Sequence, residues 1–245
     1  DNQAVQVTKD GIHFEAPRVN KDLPANLPQN IVIPEPAAMG MVFVDPNAAP
    51  DEPCKFVSDF HRRGIFLYSS PDGWTFRRHP IAILPFRSGS QSNIFYDEQR
   101  QRYVAYHRSD FPRTMAGETQ REYVRTETRE ISQPWPFTPL TAEALEKITL
   151  HKRLDTLRPF FLDNGPLTPG GFGVEYPTAF APDDSIDPVG TDVYVPKAMK
   201  YPWALDTYLA FALMYFHYEA DGPKTRQVLD EEDRGRGSGP IEAQL

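Results

Sequence analysis

The 245-residue chain has little or none of what several classes of protein require. Its single cysteine, Cys54, excludes an intrachain disulfide bond and any metal cluster built on several cysteines. No apolar run reaches the length of a membrane span. Acidic residues outnumber basic ones by 34 to 26, which argues against binding to the phosphate backbone of nucleic acid. The sequence therefore predicts no nucleic-acid partner and no membrane partner.

Helix-forming stretches are also scarce, and the clearest is a Thr-capped helix start predicted at residues 141–147 (TAEALEK). Proline and glycine are abundant instead, at 25 and 15 residues, and aromatic residues make up 12% of the chain. Prolines and glycines favour turns, and the segments between them are rich in β-branched and aromatic residues, which favour strands. This composition is typical of an all-β protein with many turns.

A short phrase recurs along the chain at a regular interval. Residues 8–14 (TKDGIHF) return as residues 70–76 (SPDGWTF), with Asp10 and Asp72 62 residues apart. A degenerate third copy follows at residues 128–135 (TREISQPW). A period of about 60 residues, built from strand and turn signals, indicates a repeated architecture of the propeller kind.

Strands flank these turns in an order that repeats. A first unit (38–84) holds four predicted strands, a second unit (88–140) repeats them with its fourth strand near residues 135–137, and a third unit (190–245) follows. Residues 1–20 supply the last two strands of a preceding unit, and residues 139–190 form an insertion. Four short strands make one propeller blade. The chain is therefore predicted to be a single β-propeller domain, or a fragment of one with about three blades' worth of repeats.

The alternation of strand direction assigns every loop to one of two ends of a unit. Asp45 and Asp97 follow first strands at turns, whereas Asp10 and Asp72 belong to turns between third and fourth strands. Turn formation accounts for all four, although Asp45 begins an Asp-Pro-Asn sequence similar to that of invertase-type enzymes, where the aspartate is the nucleophile. The opposite end, where the first strands begin, is the predicted functional end.

The functional end holds the candidate catalytic residues. Asp192 stands just before the first strand of the third unit and is the predicted base or nucleophile, with an aspartate closing an acidic loop as the alternative. Glu175 is the predicted general acid, against the alternative of a solvated loop residue, and Glu242 is a further carboxylate candidate. Glycoside hydrolysis requires one protonated and one ionised carboxyl group. Ser90 and Gln91, at the equivalent place in the second unit, offer hydroxyl and amide groups that suit a polyol.

A histidine recurs in the predicted loop between the second and third strands of each unit. The residues predicted to line a polar substrate pocket from these loops are His61, His107, Arg108 and His217. Tyr194 or Trp203 is expected to stack on a sugar ring. Ordinary loop histidines, and a core position for Trp203, are the alternatives.

Several strand-forming phrases of the chain occur together in one known group of proteins. They are residues 8–14 (TKDGIHF), 42–47 (VFVDPN), 67–73 (LYSSPDG), 90–97 (SQSNIFYD), 103–106 (YVAY), 191–194 (TDVY) and 215–218 (YFHY). The chain thereby resembles bacterial proteins related to glycoside hydrolase families 32 and 43, outside residues 139–190 and 221–238. The resemblance implies a five-bladed propeller with a central carbohydrate pocket, in secreted or periplasmic proteins longer than this chain. It also implies an aspartate where this chain has Gly89, so that one acid is missing here.

The first functional hypothesis is a glycoside hydrolase that cleaves a poly- or oligosaccharide, with Asp192 as base or nucleophile. The second is a carbohydrate-binding propeller without catalysis, and the third is an interaction scaffold, since a fold does not determine a function. The sequence carries no zinc, phosphate-loop or nucleotide motif, so no metal or cofactor is predicted. Besides carbohydrate, the predicted partner is the missing remainder of the propeller or a second chain that covers its open edges.

Overall fold

The computed structural model describes most of the chain, and every regular element in the described residues is a β-strand. The described residues are 2–21, 23–60, 64–84, 91–112, 119–136, 138–139, 174–175, 177–183, 185–187, 191–216, 218–219, 222–223 and 241–244. Their strands form antiparallel sheets, so the prediction of an all-β protein is confirmed. The helix start predicted at residues 141–147 lies outside the described residues. No helix long and apolar enough to cross a membrane is found in the described part of the chain.

The first two strands belong to an incomplete unit that precedes the first full sheet. They are β1 (Gln3–Ala4) and β2 (Ile31–Ile33), paired antiparallel. The N–H groups of Val5 and Val7 donate to the carbonyl groups of Asn30 and Glu15 respectively. Alternate N–H groups of a strand point to the same side, so both acceptors lie along one edge of this strand. The partner of this strand on that edge is therefore formed by two segments, one at Glu15 and one at residues 30–33, with a loop between them.

The first complete sheet is a meander in which each strand pairs with the next. Its strands are β3 (Ala37–Val44), β4 (Cys54–Phe60), β5 (Ile65–Ser70) and β6 (Arg77–Leu84). Every residue of β5 is buried, because this sheet is covered on both faces. Gly40 in β3 makes room for the neighbouring strand, since a Cβ atom there would lie 2.0 Å from the Phe56 ring.

The second sheet has the same size but takes its fourth strand from within the insertion predicted at residues 139–190. Its strands are β7 (Asn93–Asp97), β8 (Arg102–Pro112), β9 (Thr119–Thr128) and β12 (Thr178–Phe180), in that order across the sheet. A separate pair is formed by β10 (Thr138–Pro139) and β11 (Val174–Glu175). The chain thus leaves the sheet after β9, passes through this pair and returns as β12.

Trp135 is not part of the second sheet, so the prediction of a fourth strand near residues 135–137 is wrong at this residue. Trp135 stands between Pro134 and Pro136, which have no N–H group to donate to a strand ladder. Its own N–H group donates instead to the Ile83 carbonyl of the first sheet at 2.8 Å. The indole is 1% exposed in the core between the two sheets, with Nε1 donating to the Ile131 carbonyl at 3.4 Å.

The remaining described strands lie after the insertion. They are β13 (Asp192–Val195), β14 (Ala198–Lys200), β15 (Tyr208–Ala210), β16 (Ala212–Tyr215), β17 (Tyr218–Glu219), β18 (Gly222–Pro223) and β19 (Ile241–Gln244). β13 pairs with β16, and β14 with β15, on either side of a break at which Lys197 has a positive φ of 44°. β19 adds to the other edge of β16.

Apolar side chains fill the spaces between successive sheets. One cluster joins the preceding unit to one face of the first sheet, and a second joins the opposite face to the second sheet. The second sheet in turn packs on the last strands through Tyr123, Val193 and Met214. Because side chains alternate along a strand, Val57 enters one cluster while its neighbour Phe56 enters the other. The sheets are therefore stacked face to face in chain order.

The turns of the repeated phrase share one hydrogen-bond pattern. The Asp72 carboxylate accepts a backbone N–H group from two residues further on at 2.9 Å, and the Gly73 N–H group donates to Ser70 Oγ at 2.9 Å. The same contacts recur around Asp10, and Glu130 occupies the acid position in the third copy. The turns use these carboxylates as acceptors, which confirms the predicted turn role of Asp10 and Asp72.

Candidate functional site

The strands of all three units run between the same two ends of the sheets. The turn end carries the hairpin turns at residues 8–13, 45–53, 70–76, 97–101, 128–132 and 201–207. The Asp192 end carries the starts of β3, β7 and β13 and the end of each second strand. The candidate site lies at the Asp192 end.

Asp192 begins β13, and its side chain is held by a residue of the second sheet. Its Oδ1 atom accepts the backbone N–H group of Arg121 at 2.9 Å, and its Oδ2 atom accepts Arg121 Nη1 at 3.0 Å. Asp192 is 6% exposed, whereas about a quarter of the Arg121 side chain remains open to solvent. A guanidinium and a backbone amide both favour negative charge on the carboxylate. The arrangement therefore supplies a buried, ionised carboxylate next to a partly open arginine.

Two tyrosine rings surround this ion pair. Tyr194 of β13 and Tyr215 of β16 cross edge to face with centroids 5.7 Å apart, and the Arg121 guanidinium lies 5.8 Å from each ring centroid. The Arg108 guanidinium of β8 lies 5.6 Å from the Tyr194 ring. Tyr123 fixes the strand by donating its hydroxyl group to the Tyr194 carbonyl at 2.6 Å. Cationic and aromatic groups from two units thus meet around Asp192.

Polar side chains also link the first strands of the three units. Gln91 donates from Nε2 to the Gly40 carbonyl at 3.0 Å and accepts a hydrogen bond from Lys197 Nζ at its Oε1. Asn93 donates from Nδ2 to Met41 Sδ at 3.3 Å, while its buried Oδ1 has no hydrogen-bond partner among the described residues. Gln91 is therefore placed at the predicted end of the sheets, where it joins one first strand to the next on either side.

The structure corrects the predicted loop position of two residues. His107 and Arg108 lie in the middle of β8, because the hairpin between β8 and β9 extends beyond them. His107 is 0% exposed, and burial lowers the pKa of its imidazole to about 3. The histidine is therefore neutral near pH 7. Substrate binding by His107 and Arg108 stays a prediction, and it would require a substrate to reach side chains that are buried in the sheet.

Several predicted site residues lie wholly or partly beyond what the structure describes. His61, Ser90 and His217 are outside the described residues, and for Glu175 the backbone alone is described, paired with Thr138 in β11. Pro177 lies beside Arg125, four residues along β9 from Arg121, which is about 13 Å at the usual rise of a strand. From Pro177 onward, β12 runs antiparallel to β9, with Thr178 opposite Val124 and Phe180 opposite Tyr123. Pairing of Glu175 with Asp192 stays a prediction.

Glu122 and Glu242 occupy other positions relative to Asp192. Glu122 follows Arg121 in β9, so its side chain points to the opposite face of that strand, where it accepts Thr178 Oγ1 at 3.1 Å. Glu242 is exposed in β19, with its backbone paired to Met214. Neither makes the contacts that Arg121 makes with Asp192.

Trp203 is neither at the Asp192 end nor in the core, so both expectations for its position are wrong. It lies in the turn between β14 and β15, at the turn end, and is 82% exposed. Pro202 and the positive φ of Asp206 (55°) shape a tight turn that projects the indole outward. Tyr194, in contrast, lies beside Asp192 as the sequence predicts.

The aspartates that end the first strands are bound by tyrosines of the next unit. Asp45 accepts the N–H group of Asn47 at 2.9 Å and the Tyr103 hydroxyl at 2.8 Å, and Asp97 likewise accepts its own turn amides and the Tyr208 hydroxyl. Burial opposes ionisation of Asp97, but the hydrogen bonds of Tyr208 and the turn outweigh it and lower its pKa. Burial and the same hydrogen bond raise the pKa of Tyr208 to about 12. The predicted turn role of Asp45 and Asp97 is confirmed.

Sequence reasoning missed Arg121 and Tyr215 as parts of the site. Side chains alternate between the two faces of a strand, so Arg121 lies on the same face of β9 as Tyr123. The strand pattern therefore indicated the face on which Arg121 lies. The pairing with Asp192 spans 71 residues of sequence, and nothing local specifies it.

No group of three or more histidine, cysteine or acidic side chains is placed to hold a metal ion among the described residues. Comparison of this chain with protein-family models, with curated proteins and with solved structures finds no match.

Proposed function

We propose that the chain forms part of a five-bladed β-propeller and binds carbohydrate at the Asp192 end. Three features support the propeller. The sheets stack face to face in chain order, β3 lies beside β7 and β7 beside β14, and both β3 and β7 are tied to the next unit by an aspartate–tyrosine hydrogen bond. A radial array of blades repeats such contacts from one blade to the next.

The observation that carries the functional proposal is the cluster around Asp192. A sugar offers hydroxyl groups that donate and accept hydrogen bonds and apolar C–H faces that pack on aromatic rings. Asp192 and Arg121 supply ionised partners for hydroxyl groups, and Tyr194 and Tyr215 supply rings at 5.7 Å from each other. Ligand sites combine a few placed polar groups with aromatic walls in this way.

Hydrolysis of the bound glycan is the second candidate function, and the ionised state favoured for Asp192 supports it. In that reaction Asp192 takes a proton from the attacking water, or attacks the sugar directly, while a protonated carboxyl group gives its proton to the departing oxygen. The two carboxyl groups then stand about 5–9.5 Å apart. Binding is placed first because Arg121 engages both oxygens of Asp192.

The experiment is a panel of neutral poly- and oligosaccharides tested for binding by calorimetry and for new reducing ends. Parent protein, Asp192→Asn and the control Asp72→Asn are compared, since an asparagine still accepts the turn amides at the control position. We expect the parent and the control to bind one class of glycan and Asp192→Asn to bind at least tenfold more weakly. Cleavage by the parent that Asp192→Asn abolishes establishes hydrolysis. Equal binding by all three proteins overturns the proposal for this end.

The resemblance also predicts a secreted or periplasmic location, which stays a prediction.

A further inference from the structure

A cavity of about 510 Å³ opens at the turn end, far from Asp192. It lies between the turn that joins β7 to β8 and the turn that joins β14 to β15. Its walls include Tyr96, Glu98, Gln99, Lys200, Tyr201 and Trp203. This volume falls within the range of small-molecule sites. About nine residues, including the break at Lys197, separate Asp192 from this turn, so the two are at most about 30 Å apart along the chain.

Exposed aromatic surface forms one wall of the cavity. Trp203 is 82% exposed, and Tyr201 meets it edge to face with centroids 5.4 Å apart and planes at 74°. Leu205 beside it is 79% exposed. The indole of Trp203 therefore presents an open ring face that is large, rigid and apolar. This exposed apolar surface plays no part in core packing.

Hydrogen bonds between the two turns hold the opposite wall in place. Gln99 Oε1 accepts Lys200 Nζ at 3.3 Å and the Asp206 N–H group at 3.2 Å, and Asp97 accepts the Tyr208 hydroxyl. The cavity is therefore preformed, which removes the entropic cost of ordering two loops on binding. With Oε1 engaged, Gln99 presents its Nε2 group as the donor for a ligand.

The charges of the cavity decide between two classes of ligand. Aromatic walls with nearby carboxylates suit a cationic ligand such as a quaternary ammonium group. Here, however, the Lys200 ammonium lies within the same cavity, 3.9 Å from the Asp97 carboxylate and 4.8 Å from the Tyr208 ring, and offsets the charge of one of the two carboxylates. A neutral polyol uses the mixture of donors on Lys200 and Gln99 and the exposed carboxylate of Glu98 as an acceptor.

We propose that the cavity at the turn end is a second carbohydrate site, at which a neutral oligosaccharide stacks on Trp203 between the two turns. The site uses none of the residues around Asp192, so it holds whether or not the proposed function of the Asp192 end does. Its effect is to bind a glycan on the side of the molecule opposite to Asp192.

The test uses the fluorescence of Trp203, because Trp135 is buried and Trp74 is partly buried. Acrylamide quenching is measured with cellohexaose, xylohexaose, mannohexaose or maltohexaose at up to 10 mM, and with choline for comparison. Calorimetry of the active hexasaccharide then compares parent, Trp203→Ala, Gln99→Ala and Asp192→Asn.

We expect one hexasaccharide to reduce the quenching of Trp203 at least twofold. Trp203→Ala is expected to remove one binding event or weaken it at least tenfold, and Gln99→Ala to weaken it severalfold. Asp192→Asn leaves this event unchanged, which separates it from binding at the Asp192 end. Protection by choline but by none of the hexasaccharides overturns the proposal, as does unchanged quenching with all four.

Discussion

Buried aspartates stand at both ends of the sheets, and they are satisfied by different kinds of donor. At the turn end, Asp45 accepts one amide of its own turn and the hydroxyl of Tyr103, which are neutral groups. At the other end, Asp192 accepts the charged guanidinium of Arg121, a side chain that is itself partly open to solvent. Neutral donors hold the Asp45 carboxylate inside the fold, whereas the charged pair at Asp192 includes a guanidinium that is partly open to solvent.

Position along the strand thus distinguishes the aspartates that form turns from Asp192, for which we propose a functional role. The aspartate–tyrosine contact is made twice, between successive units, as a contact that builds the stack. The Asp192 contact brings together charges and rings at the place where first strands begin. At the turn end, the exposed ring of Trp203 lies at the same cavity as the exposed carboxylate of Glu98.

The largest expected effect concerns the buried histidine in β8. The pKa of His107 is about 3 in the folded protein and about 6.5 when unfolded, so the unfolded chain binds the proton first as pH falls. The free energy of unfolding therefore keeps its full value above pH 6.5. It falls on acidification by about 1.4 kcal/mol for each pH unit between 6.5 and 4.5. His79, whose pKa burial also lowers, acts in the same direction.

Urea unfolding between pH 7 and 4.5 measures this slope. His107→Gln is expected to flatten this slope. An NMR titration of the parent protein tests the pKa of His107 without relying on a variant that must fold. The ring signals of His107 are expected to stay constant down to pH 4.5. A titration midpoint near 6.5 contradicts the assignment.

A smaller effect is expected from breaking the contact between the first and second sheets at the turn end. Asp45→Ala leaves the buried Tyr103 hydroxyl without its acceptor and is expected to cost about 2 kcal/mol of unfolding free energy. Tyr103→Phe removes the same contact, so the double variant should lose less than the sum of the two single losses. Additive losses in denaturant unfolding argue against the contact.

The local parts of this fold follow from the sequence, and the distant parts do not. The turns around Asp10 and Asp72 are set by a serine or threonine, an acid and a glycine within four residues, so the phrase alone predicts them. The fourth strand of the second sheet is Thr178–Phe180, reached across a long insertion, and no local pattern indicates which segment fills that edge.

The same distinction applies to the candidate sites. Asp192 and Tyr194 are predictable because the strand order fixes the end at which they lie. The hairpin of β8 and β9 is longer than turn signals suggest, which is why His107 and Arg108 lie inside a strand instead of a loop. The outward position of Trp203 depends on a turn that faces solvent, and the residue type alone favours the core equally well.

The central claim is that Asp192 belongs to a binding site while Asp45 belongs to the fold. Its most direct test is calorimetry of the glycan identified in the panel, in a Trp203→Ala background that isolates the Asp192 end. Asp192→Asn and Asp45→Ala are compared at 25 °C, with urea midpoints measured in parallel. The account predicts that Asp192→Asn weakens binding at least tenfold, and that Asp45→Ala lowers the urea midpoint but leaves Kd within twofold. Unchanged affinity in Asp192→Asn, or a tenfold loss in folded Asp45→Ala, contradicts it.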